Sequence, residues 1–192
     1  MKKTAETSAP ILSEIAERWS PRAFDSTYDL TRQELLSILE AGRWAPSASN
    51  KQPWRFSVVT RGEEIHKRIS AEALGGFNGA WAPNASAIIV ISVPTKTENG
   101  DNYPIAYYDA GLASQNMMIQ IQALGLAGHP ISGYNHELVA EILELEEGRI
   151  SIAAIVVGKS LPPETLEGPA QEREVAPRTR LSLEEIVLHG LN

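Results

Sequence analysis

In the stretch "RWSPRAF" two arginines, Arg18 and Arg22, flank Ser20, and a second pair, Arg178 and Arg180, stands in "RTR" near the other end of the sequence. Planar guanidinium forks beside a hydroxyl suit a phosphomonoester, because each fork can donate two parallel charge-assisted hydrogen bonds to it. The competing reading is a set of solvated surface arginines, which is where arginines usually sit. The segment "WAPSASNKQPWRF", residues 44–56, sets short hydroxyl and amide side chains between tryptophans and prolines. Such a rigid, small-sided backbone costs stability unless it is aimed at something. The histidines His66, His129, His136 and His189 lack a ligand spacing such as i, i+4, so no metal site is expected. His129 lies in "GLAGHPISGY", which reads as a glycine-punctuated loop. There it either donates a proton or serves as a structural loop histidine. The chain has no G-x-S-x-G elbow, no glycine-rich dinucleotide fingerprint and no Walker loop.

Composition narrows the classes. The 192 residues, 43% hydrophobic and 21% charged, suit one globular domain. The absence of cysteine removes disulfides, thiolate metal sites and cysteine nucleophiles together, so redox chemistry would need a bound cofactor, and a cytoplasmic location fits. A net charge of −7 argues against a nucleic-acid partner, and an anionic ligand then needs a local arginine cluster. Residues 1–9 read as a loose leader with no apolar core behind their lysines, not as a signal peptide.

These residues must be positioned by a limited set of elements. Ile11, Leu12 and Ile15 predict a short amphipathic helix, discouraged beyond Ser20 by Pro21. Thr31 and Glu34 form a capping-box pattern for a helix that Pro46 ends, with Leu35, Leu39 and Gly42 on one face. A strand is expected over 54–60 and a charged helix over 63–70. The apolar runs at 85–93 and 150–158 predict neighbouring central strands. Between them Ala106, Ala110, Ala113, Met117, Ile121 and Leu124 step by three or four until Gly125 stops the helix. From 110 to 136 there is no Asp, Glu, Lys or Arg, yet the amides and Ser114 make the stretch too polar for a membrane span. A subunit interface explains such a helix; a core helix in a monomer is the alternative. Leu138, Ile142 and Leu145 predict a further amphipathic helix. Residues 159–192 read as an extended arm without periodicity, closed by a short helix that Ser182 opens. No internal repeat or linker divides the single domain, 1–192.

Taken in order, "RWSPRAF", "APSASNKQPWRF", "GGFNGAWAPNASAIIV", "YYDAGLASQNMMIQIQALGLAGHPISGY" and "RTR" resemble the FMN-dependent nitroreductase family across most of the chain. The resemblance implies an α+β fold, a mixed, mostly antiparallel sheet flanked by helices, in an intertwined homodimer with an extended C-terminal arm. It implies FMN as cofactor, with Arg18, Trp19, Ser20, Arg178 and Arg180 around the phosphate and ribityl chain. Arg22 would lie at the pyrimidine edge, the first choice for an electrostatic role, and Asn78 would hydrogen-bond the same ring. Pro130, Ile131, Ser132 and Gly133 would lie against the isoalloxazine. Many relatives carry a second glycine or an acid where Ser132 stands, which bears on substrate scope. Pro46, Ser47, Ala48, Ser49, Asn50 and Gln52 would reach across the dimer to the partner's flavin. Trp44 and Trp54 read as anchors in the core or interface, Trp81 as a packing or substrate-facing residue, and His129 as substrate-facing.

The implied activity is ping-pong hydride transfer from NADH or NADPH, through flavin N5, to a small electron-poor acceptor such as a nitroaromatic or quinone, without an essential protein acid or base. The alternatives are a non-catalytic flavin-binding or regulatory protein, or a specialised member that reduces an activated alkene or aldehyde.

Overall fold

Four segments rich in β-branched residues become strands: β1 (Arg55–Thr60), β2 (Ala87–Pro94), β3 (Ala127–Ile131) and β4 (Arg149–Gly158). In the computed structural model, which describes residues 3–190, they form one sheet in the order β1-β2-β4-β3. All three pairings are antiparallel, so among the described residues the sheet lacks the parallel share that a mixed sheet allows. Strand β2 is buried along seven of its eight residues because both its faces are covered. Its period of two sends Ala87, Ile89, Ile91 and Val93 into one apolar cluster and Ile88 and Val90 into a second. Opposite Ile89 stand Val58 on one side and Ile155 on the other.

Eight α-helices dress the sheet among the described residues: α1 (Ser13–Glu17), α2 (Arg32–Arg43), α3 (Glu64–Arg68), α4 (Gly76–Gly79), α5 (Ile105–Ala123), α6 (His136–Ile142), α7 (Gly168–Val175) and α8 (Leu183–Ile186). Helix α2 begins on the expected capping box, Thr31 with Glu34, and α8 on another, Ser182 with Glu185. Helices α2 and α5 pack together on the first cluster, where a Cβ on Gly42 would stand 2.9 Å from Met117 Cγ and 3.1 Å from Phe56 Cζ. Gly42 is therefore what lets the two helices approach. The uncharged amides of α5 also have work there: Asn116 Nδ2 donates to the Ala41 carbonyl (3.1 Å) and Gln120 Nε2 to Ser37 Oγ (3.0 Å). Its alanine and methionine face is core, while Ile105, Tyr107 and Tyr108 stay exposed. Gly125, at φ +68°, turns the chain out of the helix as expected. No described helix is long and apolar enough to cross a membrane.

Several expectations need correction. The "GLAGHPISGY" segment is not a loop throughout: its middle is β3, which among the described residues is an edge strand paired with β4, and an edge is where Pro130 can be tolerated. The helix expected over 63–70 ends at Arg68 and passes into a π-helical turn, Ile69–Ala73. The arm is not extended throughout, because α7 and a 3-10 turn, Pro163–Thr165, interrupt it. The leader is tied down where it is described: Ala5 N–H donates to the Ala16 carbonyl (2.8 Å), and Arg178 Nη1 donates to the Lys3 carbonyl. Residues 1–2 of that leader and 191–192 of the arm lie outside the described residues. Trp54 is buried as an anchor should be, but Trp44 is 71% exposed, its Nε1 donating to Glu40 Oε1 (2.9 Å) on the helix it ends.

Candidate functional site

The N-terminal segment around Arg18–Arg22 is gripped from three directions. His129 Nδ1 on β3 lies 2.8 Å from the Pro21 carbonyl. Beyond it Phe24 bridges to Ser160, and Leu161 N–H donates to the Ala23 carbonyl (2.9 Å), so the segment runs antiparallel to the chain leaving β4. From α7 the Glu174 carboxylate accepts the Arg22 N–H (2.9 and 3.1 Å to its two oxygens) and the Ala23 N–H (3.3 Å). Glu174 Oε2 also stands 3.7 Å from Arg22 Nη1.

Cations from both chain ends collect here. Arg178 Nη1 donates to the Ala16 carbonyl (2.6 Å), two residues before Arg18. Burial pushes the Arg18 guanidinium down from its ordinary value, and the charges of Arg178 and Arg180 push it the same way. Lys3 joins them: its Nζ donates to the Ala176 carbonyl (2.6 Å) and sits 4.5 Å over the Trp19 ring. Trp19, Lys3, Pro21, Gln122 and Ser160 line a cavity of about 180 Å³. Cations that disfavour one another at close range form a site where an anion is stabilising. Ser20 is half-buried in the same segment, between Trp19 and Pro21.

Arg22 leads from this cluster to the second part of the site. Its Nε is buried without a partner, and its guanidinium stands 5.5 Å over the Phe77 ring. An unpaired buried donor is costly, which marks Arg22 Nε out among the described residues. Next to Phe77, Asn78 Nδ2 donates to the Gly133 carbonyl (3.0 Å). A Cβ on Gly133 would approach that nitrogen to 3.1 Å. The exposed backbone of Ser132 and Gly133 is backed by His136, whose Nε2 lies 2.8 Å from the Ser132 carbonyl and Nδ1 2.9 Å from that of Ser151. Tyr134 OH meets Ser151 Oγ at 2.6 Å, and burial pushes this phenol up to about 12 against the opposing effect of that hydrogen bond. Pro130 is exposed beside these residues, whereas Ile131 points into the second core cluster.

The loop at 46–52 stands apart. Ser49, Asn50 and Gln52 hold φ values of 51°, 54° and 48°, the left-handed region that non-glycine residues avoid. Ser47 Oγ accepts the Gln52 N–H (3.0 Å), and the Asp109 carboxylate on α5 accepts the Ala48 N–H (3.2 and 3.3 Å). Among the described residues, no hydrogen bond or ion pair joins Pro46, Ser47, Ala48, Ser49, Asn50 or Gln52 to the arginine cluster of the same chain.

Two expected site residues belong to the core instead. Trp81 is 1% exposed, stacked between Phe24 (6.0 Å) and His129 (4.5 Å), and His129 is itself 9% exposed, so neither faces a substrate from within this chain. Burial holds His129 down to about 4, with Arg22 and Arg18 adding to it and the Pro21 hydrogen bond opposing. A neutral, buried imidazole is not a proton donor near neutral pH. Three polar residues that matter were missed. Glu174 and Asp109 are buried carboxylates that grip backbone N–H groups remote in sequence, and Lys3 sat in a leader taken as loose. Gly168 and Pro169 ahead of helix-forming residues could have signalled α7, with proline in the first turn. Nothing local signals which of its glutamates is buried.

The chain has recognisable relatives among known proteins. The model of the nitroreductase family matches residues 15–159, which leaves α7, Arg178 and Arg180 beyond the match. An oxygen-insensitive NADPH nitroreductase of Helicobacter pylori is 30% identical over 151 residues, 76% of this chain and 66% of its own length. The chain thus spans a little under two thirds of that relative. An oxygen-insensitive NAD(P)H nitroreductase of Enterobacter cloacae is 28% identical over 191 residues, 77% of this chain and 88% of its own. A crystal structure described as an oxidoreductase containing FMN superposes with a TM-score of 0.90 at 30% identity, covering 99% of this chain and 96% of the other.

Proposed function

The chain belongs to the nitroreductase family, and from that premise we propose that it is an FMN-dependent oxidoreductase working as a homodimer. The observation that carries the reading is the meeting of Arg18, Arg178 and Arg180 from opposite chain ends, continuous with the unpartnered Nε of Arg22. The donor set fits FMN. A cluster of guanidinium groups suits its phosphate, and a buried, unsatisfied guanidinium N–H suits the acceptor atoms of its pyrimidine edge. The names of the relatives, NADPH and NAD(P)H nitroreductases, and the FMN of the similar structure support the same reading.

When bound, FMN supplies hydride exchange between NAD(P)H and an electron-poor acceptor such as a nitroaromatic or a quinone. The chain's own residues bind and orient. Arg18, Arg178 and Arg180 would hold the phosphate with Ser20 and Trp19, and Arg178 also donates to the Lys3 and Ala16 carbonyls. Arg22 places positive charge where negative charge develops at the ring edge, a fixed electrostatic stabiliser that needs no reorganisation. Asn78, held to Gly133, would hydrogen-bond the same ring, and the Ser132–Gly133 backbone, braced by His136, would lie against it. With His129 neutral and buried, protons come from solvent.

The loop at 46–52 serves the partner's site. It is exposed, conformationally strained and fixed to α5 by Asp109, as a segment built to meet a surface outside its own chain would be. The exposed uncharged residues Tyr107 and Tyr108 on α5, with Trp44 beside the loop, supply apolar area for the dimer. The purified protein is expected to be yellow, to sediment as a dimer, and to bleach anaerobically with NADH or NADPH. Colour that persists with both donors would favour the non-catalytic flavin-binding reading, and a colourless monomer that ignores added FMN would overturn both.

A further inference from the structure

Glu174 is fully buried, in a helix that the family match does not reach. An ionised carboxylate without water costs several kcal/mol unless donors surround it. Here three contacts to the backbone N–H groups of Arg22 and Ala23, at 2.9 to 3.3 Å, and the guanidinium of Arg22 at 3.7 Å provide them. The backbone bonds fix where the Arg22 main chain runs, and the ion pair fixes where its side chain starts. Arg22 is therefore held by a buried negative charge on one side, with Nη1 toward Glu174 and Nε without a hydrogen-bond partner among the described residues.

We propose that Glu174 is the positioning residue for Arg22, and that its counter-charge sets how strongly Arg22 favours the reduced over the oxidised cofactor. This rests on the reading that Arg22 lies at the pyrimidine edge of FMN. The carboxylate offsets part of the guanidinium's field, and reduction adds electrons to the ring that this field stabilises. With Glu174 ionised, the reduced form is favoured less than Arg22 alone would favour it. The device tunes the flavin downward and keeps it an effective donor to its acceptor.

Glu174→Gln is nearly isosteric and keeps an oxygen for the Arg22 and Ala23 N–H groups, while removing the charge. Its expected effect is a three- to tenfold gain in affinity for reduced relative to oxidised FMN. At about 30 mV per tenfold for a two-electron couple, this reads as a rise of about 14–30 mV in midpoint potential. Glu174→Asp keeps the charge but withdraws it by one methylene, so a smaller rise of the same sign is expected, and either variant decides by sign if the other fails to fold. A purely structural Glu174 would weaken both redox states of FMN equally and leave the potential where it was; that result, or a fall, overturns the proposal. Arg22→Met, titrated alongside, is expected to lower the potential. If it does and Glu174→Gln does not raise it, the tuning role alone is wrong. If Arg22→Met leaves the potential unmoved, Arg22 is not at the ring edge, and if the wild type takes up no FMN, the functional reading fails first.

Discussion

The neutral imidazole of His129 makes stability depend on pH in a defined window. The ring is pinned between Trp81 and the Pro21 carbonyl, and burial, Arg22 and Arg18 together hold it down to about 4, against 6.5 for an ordinary histidine. Below pH 6.5 the unfolded chain takes up a proton at this position that the folded chain refuses. Stability is therefore complete above pH 6.5, falls as pH drops through the window, and levels once pH passes the folded value near 4. The gap corresponds to about 3 kcal/mol, at roughly 1.4 kcal/mol for each pH unit it spans. His66, also held down by burial, and the carboxylates contribute in the same range, so the quantity to measure is a difference. Urea unfolding followed by tryptophan fluorescence, from pH 7.5 to 4.5, is compared between the wild type and His129→Gln, whose amide can still donate to the Pro21 carbonyl. The wild type should lose about 2–3 kcal/mol relative to the variant over that range. Parallel curves would refute the reasoning, because they would mean that the histidine is solvated or already charged. A phosphate held by Arg18 opposes that residue's push on the ring, so the difference should shrink with FMN present.

Two further substitutions probe the site. Arg18→Glu and Arg180→Glu each replace a donor with a like charge against the phosphate, so FMN affinity should fall at least about 30-fold, from roughly 2 kcal/mol for a charge-assisted bond. Ultrafiltration of released flavin measures it, and stoichiometric retention in both variants would refute the phosphate assignment. Asp109→Ala leaves the Ala48 N–H without its acceptor beside three residues in left-handed conformations, which should cost about 1–3 kcal/mol and expose 46–52 to limited proteolysis. An unchanged urea midpoint and cleavage pattern would show that the loop needs no such anchor.

What could be read from the sequence follows from how far each signal reaches. The capping box of α2, the buried strand β2 and the glycine that ends α5 are decided within a few residues, and all three stand as read. The convergence of the chain ends was legible only through family resemblance, since no local pattern joins Arg18 to Arg178 across the whole domain. Strand β3 was obscured because two of its five residues are glycine and proline, which an edge tolerates and a turn prefers. Helix α7 was obscured by the prolines and charges of the arm around it. Glu174 is the deeper case, because a glutamate reads as solvent-exposed until a partner that can satisfy it is known, and that partner is the backbone of residues 22 and 23. The same remoteness joins the arm to the site: α7 lies beyond the family match, yet its carboxylate determines where Arg22 stands. If Glu174 positions Arg22 at the cofactor as proposed, substitution in α7 retunes the cofactor's surroundings while every residue that touches the cofactor stays the same.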